Sequence, residues 1–298
     1  MKRASGALWL AVGLALCGVM LAGCQGTKQA SVAEARTPNR PLPPYGDIVR
    51  QYNDRTDRLT RLWARAVVSI TFTNERGERR NEQGEGHLQM IQPSRMALSI
   101  GKVGEVLAWI GCDEERYWLI EPKESKRAYV GRHSQITPEK IARLGIPAAP
   151  RDMIRLVGVT PLPQPTPGII YGWAPGGETV LVEETVGRQI WRSEIHEVQM
   201  RPVKIELLDA ADRSILVSAS LEDYEAVTLR GVGGYFPRTA SRITASQPND
   251  GSQMRVSLAG MNDGGGSRLS DDNFSFEALI EALGVSDVVD LDAPVASR

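Results

Sequence analysis

The sequence predicts a mainly β protein of the α+β kind, built on one large curved antiparallel sheet. That sheet is expected to wrap around a few short helices. Three observations predict it. Short runs of alternating apolar and polar residues fill most of the chain between Val67 and Leu258. Tight polar turns such as Asp113-Glu114-Glu115 join consecutive runs, which is the sequence form of an antiparallel meander. About a dozen strands carry enough accumulated twist to curl a sheet, with two stacked sheets as the alternative.

The chain opens with Lys2 and Arg3, an apolar run from Ala7 to Leu21, and Leu21-Ala22-Gly23-Cys24. A bilayer span takes about 20 apolar residues, so the run is too short to cross comfortably. Positive start, apolar middle and small residues are the three parts of a secretory signal. With a cysteine closing the site, the segment resembles a bacterial lipoprotein signal peptide. The resemblance implies a diacylglyceryl thioether on Cys24, cleavage after residue 23, and acylation of the new amino terminus. Cys17 leaves with the signal, so Cys112 is the single thiol of the mature chain and no internal disulfide can form. Overall charge is −1, and loss of Lys2 and Arg3 takes it to about −3. No basic block follows, which argues against a nucleic-acid partner and leaves membrane attachment to the acyl chains.

Residues 24–46 read as a lipidated cysteine and a semi-extended tether. The stretch holds Pro38, Pro41, Pro43 and Pro44 and has no apolar period. A single domain is expected over 47–292, followed by a tail at 293–298. It begins with an amphipathic helix from Asp47, a candidate N-cap, to Leu62, with Ile48, Tyr52, Leu59 and Leu62 on one face. The period then becomes two. Val68, Ile70 and Phe72 precede a turn at Asn74–Gly77; Leu88 with Met90, and Met96 with Leu98 and Ile100, follow the same alternation. Further strands run from Val106 to Cys112, Tyr117 to Ile120 and Arg127 to Gly131. An insertion near 132–176 interrupts them. Thr137 and Pro138 open a short helix that stops at Gly145, a second covers Arg151–Val157, and a proline-rich loop runs from Pro161 to Pro175. Strands resume at Thr179–Glu183, Gln189–Val198, Val203–Leu208, Ile215–Leu221, Arg238–Ser246 and Met254–Leu258, before a helix at Phe276–Leu283.

Enzyme chemistry has little to stand on. His87, His133 and His196 are far apart, none with a metal-ligand neighbour at helical or hairpin spacing, so neither metal nor cofactor is expected. Ser193 and Ser218 lie in alternating strands without a Gly-x-Ser-x-Gly turn. In a strand the neighbours Glu183 and Glu184 point to opposite faces and cannot converge on one bond. The glycine runs at 231–234 and 264–266 lack a following Lys-Ser/Thr and read as turns, and Cys112 reads as a small buried residue. What stands out is apolar inventory. Val68, Ile70, Phe72, Leu88, Met90, Met96, Leu98, Ile100, Trp109 and Trp118 are the candidate lining of an apolar cavity. Met90 and Met96 suit irregular ligands such as acyl chains, because methionine repacks easily.

The order of elements resembles the LolA/LolB fold of the lipoprotein-sorting factors, a soluble periplasmic carrier and a lipidated outer-membrane receptor. The residues that carry the resemblance are the first helix running into Trp63–Ile70, then Gly86–Met90, Pro93–Met96, Trp118–Pro122, Tyr235–Arg238 and the strand around Ile243. It implies an incomplete barrel around an apolar cavity that accepts the acyl chains of lipids or lipoproteins, with helices as lid and no covalent chemistry. Cys24 favours comparison with the receptor, whose exposed apolar loop residue inserts into membrane; Leu162 is the position offered for it. Gln25 in place of an aspartate leans toward the periplasmic face of the outer membrane. The same fold serves envelope-stress regulators, so a structural or stress-sensing lipoprotein acting through periplasmic protein partners is the alternative.

Overall fold

The computed structural model describes residues 40–73, 77–123, 125–249 and 251–294. The expected signal peptide, Cys24 and most of the expected tether lie outside the described residues. In chain order the elements begin with α1 (Tyr45–Thr56), β1 (Arg61–Thr73), β2 (Arg79–Ile91), β3 (Arg95–Lys102), β4 (Glu105–Cys112), β5 (Arg116–Glu121) and β6 (Arg127–Arg132). Two helices follow, α2 (Pro138–Arg143) and α3 (Pro150–Leu156). Then come β7 (Ile169–Trp173), β8 (Thr179–Val186), β9 (Gln189–His196), β10 (Arg201–Asp209), β11 (Ile215–Ala226), β12 (Arg238–Ser246) and β13 (Gln253–Asn262). The chain closes with α4 (Phe276–Ala282) and β14 (Asp287–Asp290).

All the strands belong to one 14-stranded sheet in the order β14-β6-β5-β4-β3-β2-β1-β13-β12-β11-β10-β9-β8-β7. It is two meanders, β1–β6 and β7–β13, sewn together where β1 pairs with β13 and Val68 stands opposite Val256. Every pairing is antiparallel except that of β14 with β6. Strands β7 and β14 are the two ends of the order, so the sheet is open and curved, and the described residues form no second sheet stacked on it.

Alternation divides the side chains between two faces. The inner face carries Ala64, Ala66 and Val68 of β1, Leu88 and Met90 of β2, and Met96, Leu98 and Ile100 of β3. Leu207, Val217, Ala219, Ile243, Met254 and Val256 continue it across the second meander. Helix α3 and its flanks fill the concavity with Ile146, Met153, Ile154, Leu156 and Val157. Helix α1 packs Tyr45, Ile48, Val49 and Tyr52 on Val180, Val182 and Ile195. The outer face is covered by α4, whose Phe276 and Leu279 pack on Trp118 and Ile120.

The first helix ends sooner than the sequence pattern predicts. It stops at Thr56, and Leu62 lies in β1 opposite Met90. Leu59 and Leu62 fit a helical face, but Leu62 also begins the period-two series Leu62, Ala64, Ala66, Val68 that the sheet uses. Asp47 is not the N-cap. It sits in the first turn, where it pairs with Arg50 at 2.5 Å, and Pro44 precedes the helix without a side-chain cap. Nor are residues 40–44 a free spacer: Arg40 pairs with Glu197 and lies over the Trp173 ring, and Leu42 packs against the α1 cluster. In α2 the expected start holds, with the Thr137 hydroxyl accepting from the Lys140 amide at 3.4 Å and Pro138 in the first turn. Gly145, at φ 64°, lies past the helix end in the left-handed conformation a glycine takes without strain.

Candidate ligand-binding site

Two spaces lie on the inner face, one beside the other. The first is a cavity of about 380 Å³ between α2 and α3 on one side and the ends of β9–β12 on the other. Ile136, Ile141, Ala149, Leu207, Leu216 and Val217 make its wall apolar. The second is a void of about 40 Å³ beneath α3, lined by Leu88, Met96, Leu98, Met153, Ile243 and Met254 among other apolar side chains. Pro147 and Ala148, in the link between α2 and α3, border both. That link is therefore the partition between an open cleft and a nearly filled centre. Ligand pockets usually span about 300–1,000 Å³, so the cleft is large enough for a small apolar ligand and the void is not.

The expected lining divides into two groups. Val68, Leu88, Met90, Met96, Leu98 and Ile100 share the inner face and are buried there, with Ile70 packed against them. Phe72, half-buried near the end of β1, stands outside that cluster. Trp109 and Trp118 face the other way. Trp118 is fully buried under α4, tilted on Phe276 with ring centres 5.9 Å apart, and Trp109 packs beside it. The turn Asp113–Arg116 sets this register: Cys112 is opposite Tyr117, so Gly111 and Trp118 share the outer face.

The cleft's polar groups were not anticipated from the sequence. Glu139 and Asp152 are its carboxylates; Gln189, Gln247 and Asn249 supply amides, and no lysine or arginine lines it among the described residues. Gln247 is already engaged, donating to the Pro147 carbonyl at 2.7 Å and accepting from the Ser252 hydroxyl at 3.2 Å. Asp152 has no hydrogen bond or ion pair among the described residues. It is enclosed by protein with only part of its surface open to the cleft, and burial pushes its carboxyl up to about 6 against the pull of Arg155 and Arg151. The signal in the sequence was faint: an acid in a helix between Pro150 and Met153, both of which turn out buried.

Arg155 holds α3 in place. Its guanidinium bonds Glu184 of β8 at 2.6 Å and lies 4.4 Å from the Trp191 ring centre. Glu183, the next residue, takes the outer face with Arg192 at 2.7 Å and Arg213 at 2.8 Å, as alternation requires. The histidines have local partners. His87 stacks on Trp63, the His133 Nε2 lies 3.0 Å from the Asp113 carbonyl, and His196 Nδ1 accepts from the amides of Val198 and Gln199. Cys112 is buried beside the Ser94 carbonyl, and burial drives its thiol up to about 12. Among the described residues no three His, Cys, Asp or Glu side chains group as metal ligands.

Leu162 is not an exposed loop residue. It is buried against α1, and its amide and carbonyl both bond Asn53. Among the described residues the fully exposed large apolar one is Val103 at the tip of the β3–β4 hairpin, at φ 51°, a conformation a β-branched residue rarely takes.

No protein-family model matches the sequence, and no curated protein matches it. Solved structures do. A DUF1329 family protein from Desulfovibrio piger is 14% identical with a TM-score of 0.51, over 78% of this chain and 96% of that one. A putative outer membrane lipoprotein-sorting protein domain from Vibrio parahaemolyticus is 13% identical with a TM-score of 0.50, over 78% and 97%. A LolA superfamily protein from Nitrosomonas europaea is 13% identical with a TM-score of 0.48, over the same shares. At such identities the likeness is one of fold. The chain has the LolA-like fold that its order of elements led us to expect.

Proposed function

We propose that this chain is a lipid-anchored periplasmic binder of acyl chains, of lipids or of lipoproteins, acting in their sorting at the outer membrane. The observation that carries the reading is the apolar cleft of about 380 Å³, open at the edge of a concave sheet and separated from the centre only by the 145–149 link. An acyl chain entering it gains about 0.8 kcal/mol per methylene buried, with no covalent step, so binding rather than catalysis is the role. Displacement of Pro147 and Ala148 joins the cleft to the void walled by Leu88, Met96 and Leu98. These residues, with Val68, Ile70, Met90 and Ile100, then form the deep wall, and α2 and α3 form the lid. Trp109 and Trp118 support the wall from behind.

Three features favour this reading. The signal-like segment ending at Cys24 would tether the domain to a membrane, with Gln25 leaning toward the outer one. The fold is shared with a domain described as outer membrane lipoprotein-sorting. Val103 presents an apolar side chain at a hairpin tip, which suits contact with a bilayer. A second reading, a structural or stress-sensing lipoprotein working through protein partners, draws on the nearly filled centre, about 40 Å³. Native mass spectrometry of the detergent-extracted protein separates them. Acylated protein with a bound lipid, exchangeable for a fluorescent acyl probe, supports the first. Protein free of lipid and inert to the probe overturns it.

A further inference from the structure

We infer that the cleft takes an apolar molecule whose polar end is cationic, an ammonium group, with Asp152 receiving the charge at the wall and Glu139 at the rim; the inference rests on the binding reading above. Among the described residues the cleft offers carboxylates and amides and no cation, so an anionic head group would meet like charge there, whereas an ammonium would meet its complement. Among the described residues Asp152 is the carboxylate of the cleft without a hydrogen-bond or ion-pair partner. Thr137 caps the Lys140 amide, Gln247 is bound to Pro147 and Ser252, and Arg155, one turn along α3, is spent on Glu184. An enclosed carboxylate without a partner costs free energy, and a donor cation in the cleft would remove that cost. The surrounding apolar wall then holds the chain of the ligand while the carboxylate fixes its end.

The charge of the site changes at one group. Arg151 and Arg155 stand near Asp152, burial keeps Cys112 a thiol, and the Thr137 hydroxyl holds Glu139 below the usual carboxylate range. Asp152, pushed up to about 6, is thus the group that loses its charge between pH 7.5 and pH 5. A preference for ammonium that depends on this carboxylate is present at the first pH and absent at the second.

The test is calorimetry of the purified protein with dodecylammonium, dodecanol and dodecanoate, each below its aggregation threshold, at pH 7.5. The expected order is dodecylammonium about tenfold tighter than dodecanol, which corresponds to about 1.4 kcal/mol, with dodecanoate weakest. Asp152→Asn should bring ammonium and alcohol within about twofold of each other. Ala142→Trp, filling the cleft from α2, should weaken all three. In the unaltered protein at pH 5 the ratio of ammonium to alcohol should collapse without any substitution. If no probe binds, the binding reading falls and this inference with it. If dodecanol binds but the ratio survives Asp152→Asn or pH 5, the cationic end is wrong and the binding reading stands. Full affinity in Ala142→Trp puts the site elsewhere and overturns the inference.

Discussion

Asp152→Asn should make the protein more stable, and only where the carboxylate is charged. Burial lifts the Asp152 carboxyl from its ordinary 3.8 to about 6 in the folded chain. A folded-state value above the unfolded one means that the native state holds the proton more tightly. The associated stability is fully present below about pH 3.8 and is lost as pH rises through about 6. Two pH units correspond to at most about 3 kcal/mol. Asparagine keeps the shape and removes the charge, but it also gives up a favourable first-turn acid in α3, which offsets about 0.5 kcal/mol. A net gain of about 2 kcal/mol at pH 7.5 translates to a rise in unfolding midpoint of about 4–8 °C for a chain of this size. Thermal unfolding followed by far-UV circular dichroism at pH 7.5 and pH 4.0 reads it directly. The reasoning fails if the variant is destabilised at pH 7.5, or if its midpoint shifts equally at both pH values.

Gly111→Val should cost about 1–3 kcal/mol in denaturant unfolding, because its new Cβ would stand 2.6 Å from Nε1 of Trp118, a ring pinned under α4. Cys112 should resist thiol reagents at pH 7.5 in the folded protein and react once unfolded; rapid labelling of the native chain would contradict its burial and raised thiol. Val103→Asp should leave the unfolding free energy within about 0.5 kcal/mol of the unaltered protein's yet weaken binding to phosphatidylethanolamine–phosphatidylglycerol vesicles, whereas Leu162→Asp should destabilise the fold by several-fold more. Equal vesicle binding by Val103→Asp would remove that hairpin from any membrane contact.

Much of the sheet was legible because alternation is a strong local signal. Arg238–Ser246 has the expected bounds, and the inner set Val68, Leu88, Met90, Met96, Leu98 and Ile100 shares one face. Short end strands were not legible. β7 and β14 sit at the edges of the sheet, where half-exposed residues such as Ile170 and Val288 give no clean in-and-out pattern. The expected first helix overruns into β1 because Leu62 satisfies both periods at once. The site escaped for a deeper reason. Alternation tells which residues share a face within a strand, but Trp109 and Trp118 show that the phase between strands depends on turns and bulges. The cleft itself is made by α2 and α3 folding back on β9–β12, a long-range packing with no local pattern; the insertion near 132–176 was visible, but not what it would touch.

The central claim is that an acyl chain lies in the cleft beside α2 and α3. Photocrosslinking with a diazirine-bearing dodecyl probe, followed by peptide mapping, tests it most directly. The account predicts adducts on residues 136–152 and around Leu216 and Val217, competed away by unlabelled dodecanol. Adducts confined to the outer face under α4, or none above a control without light, would contradict it.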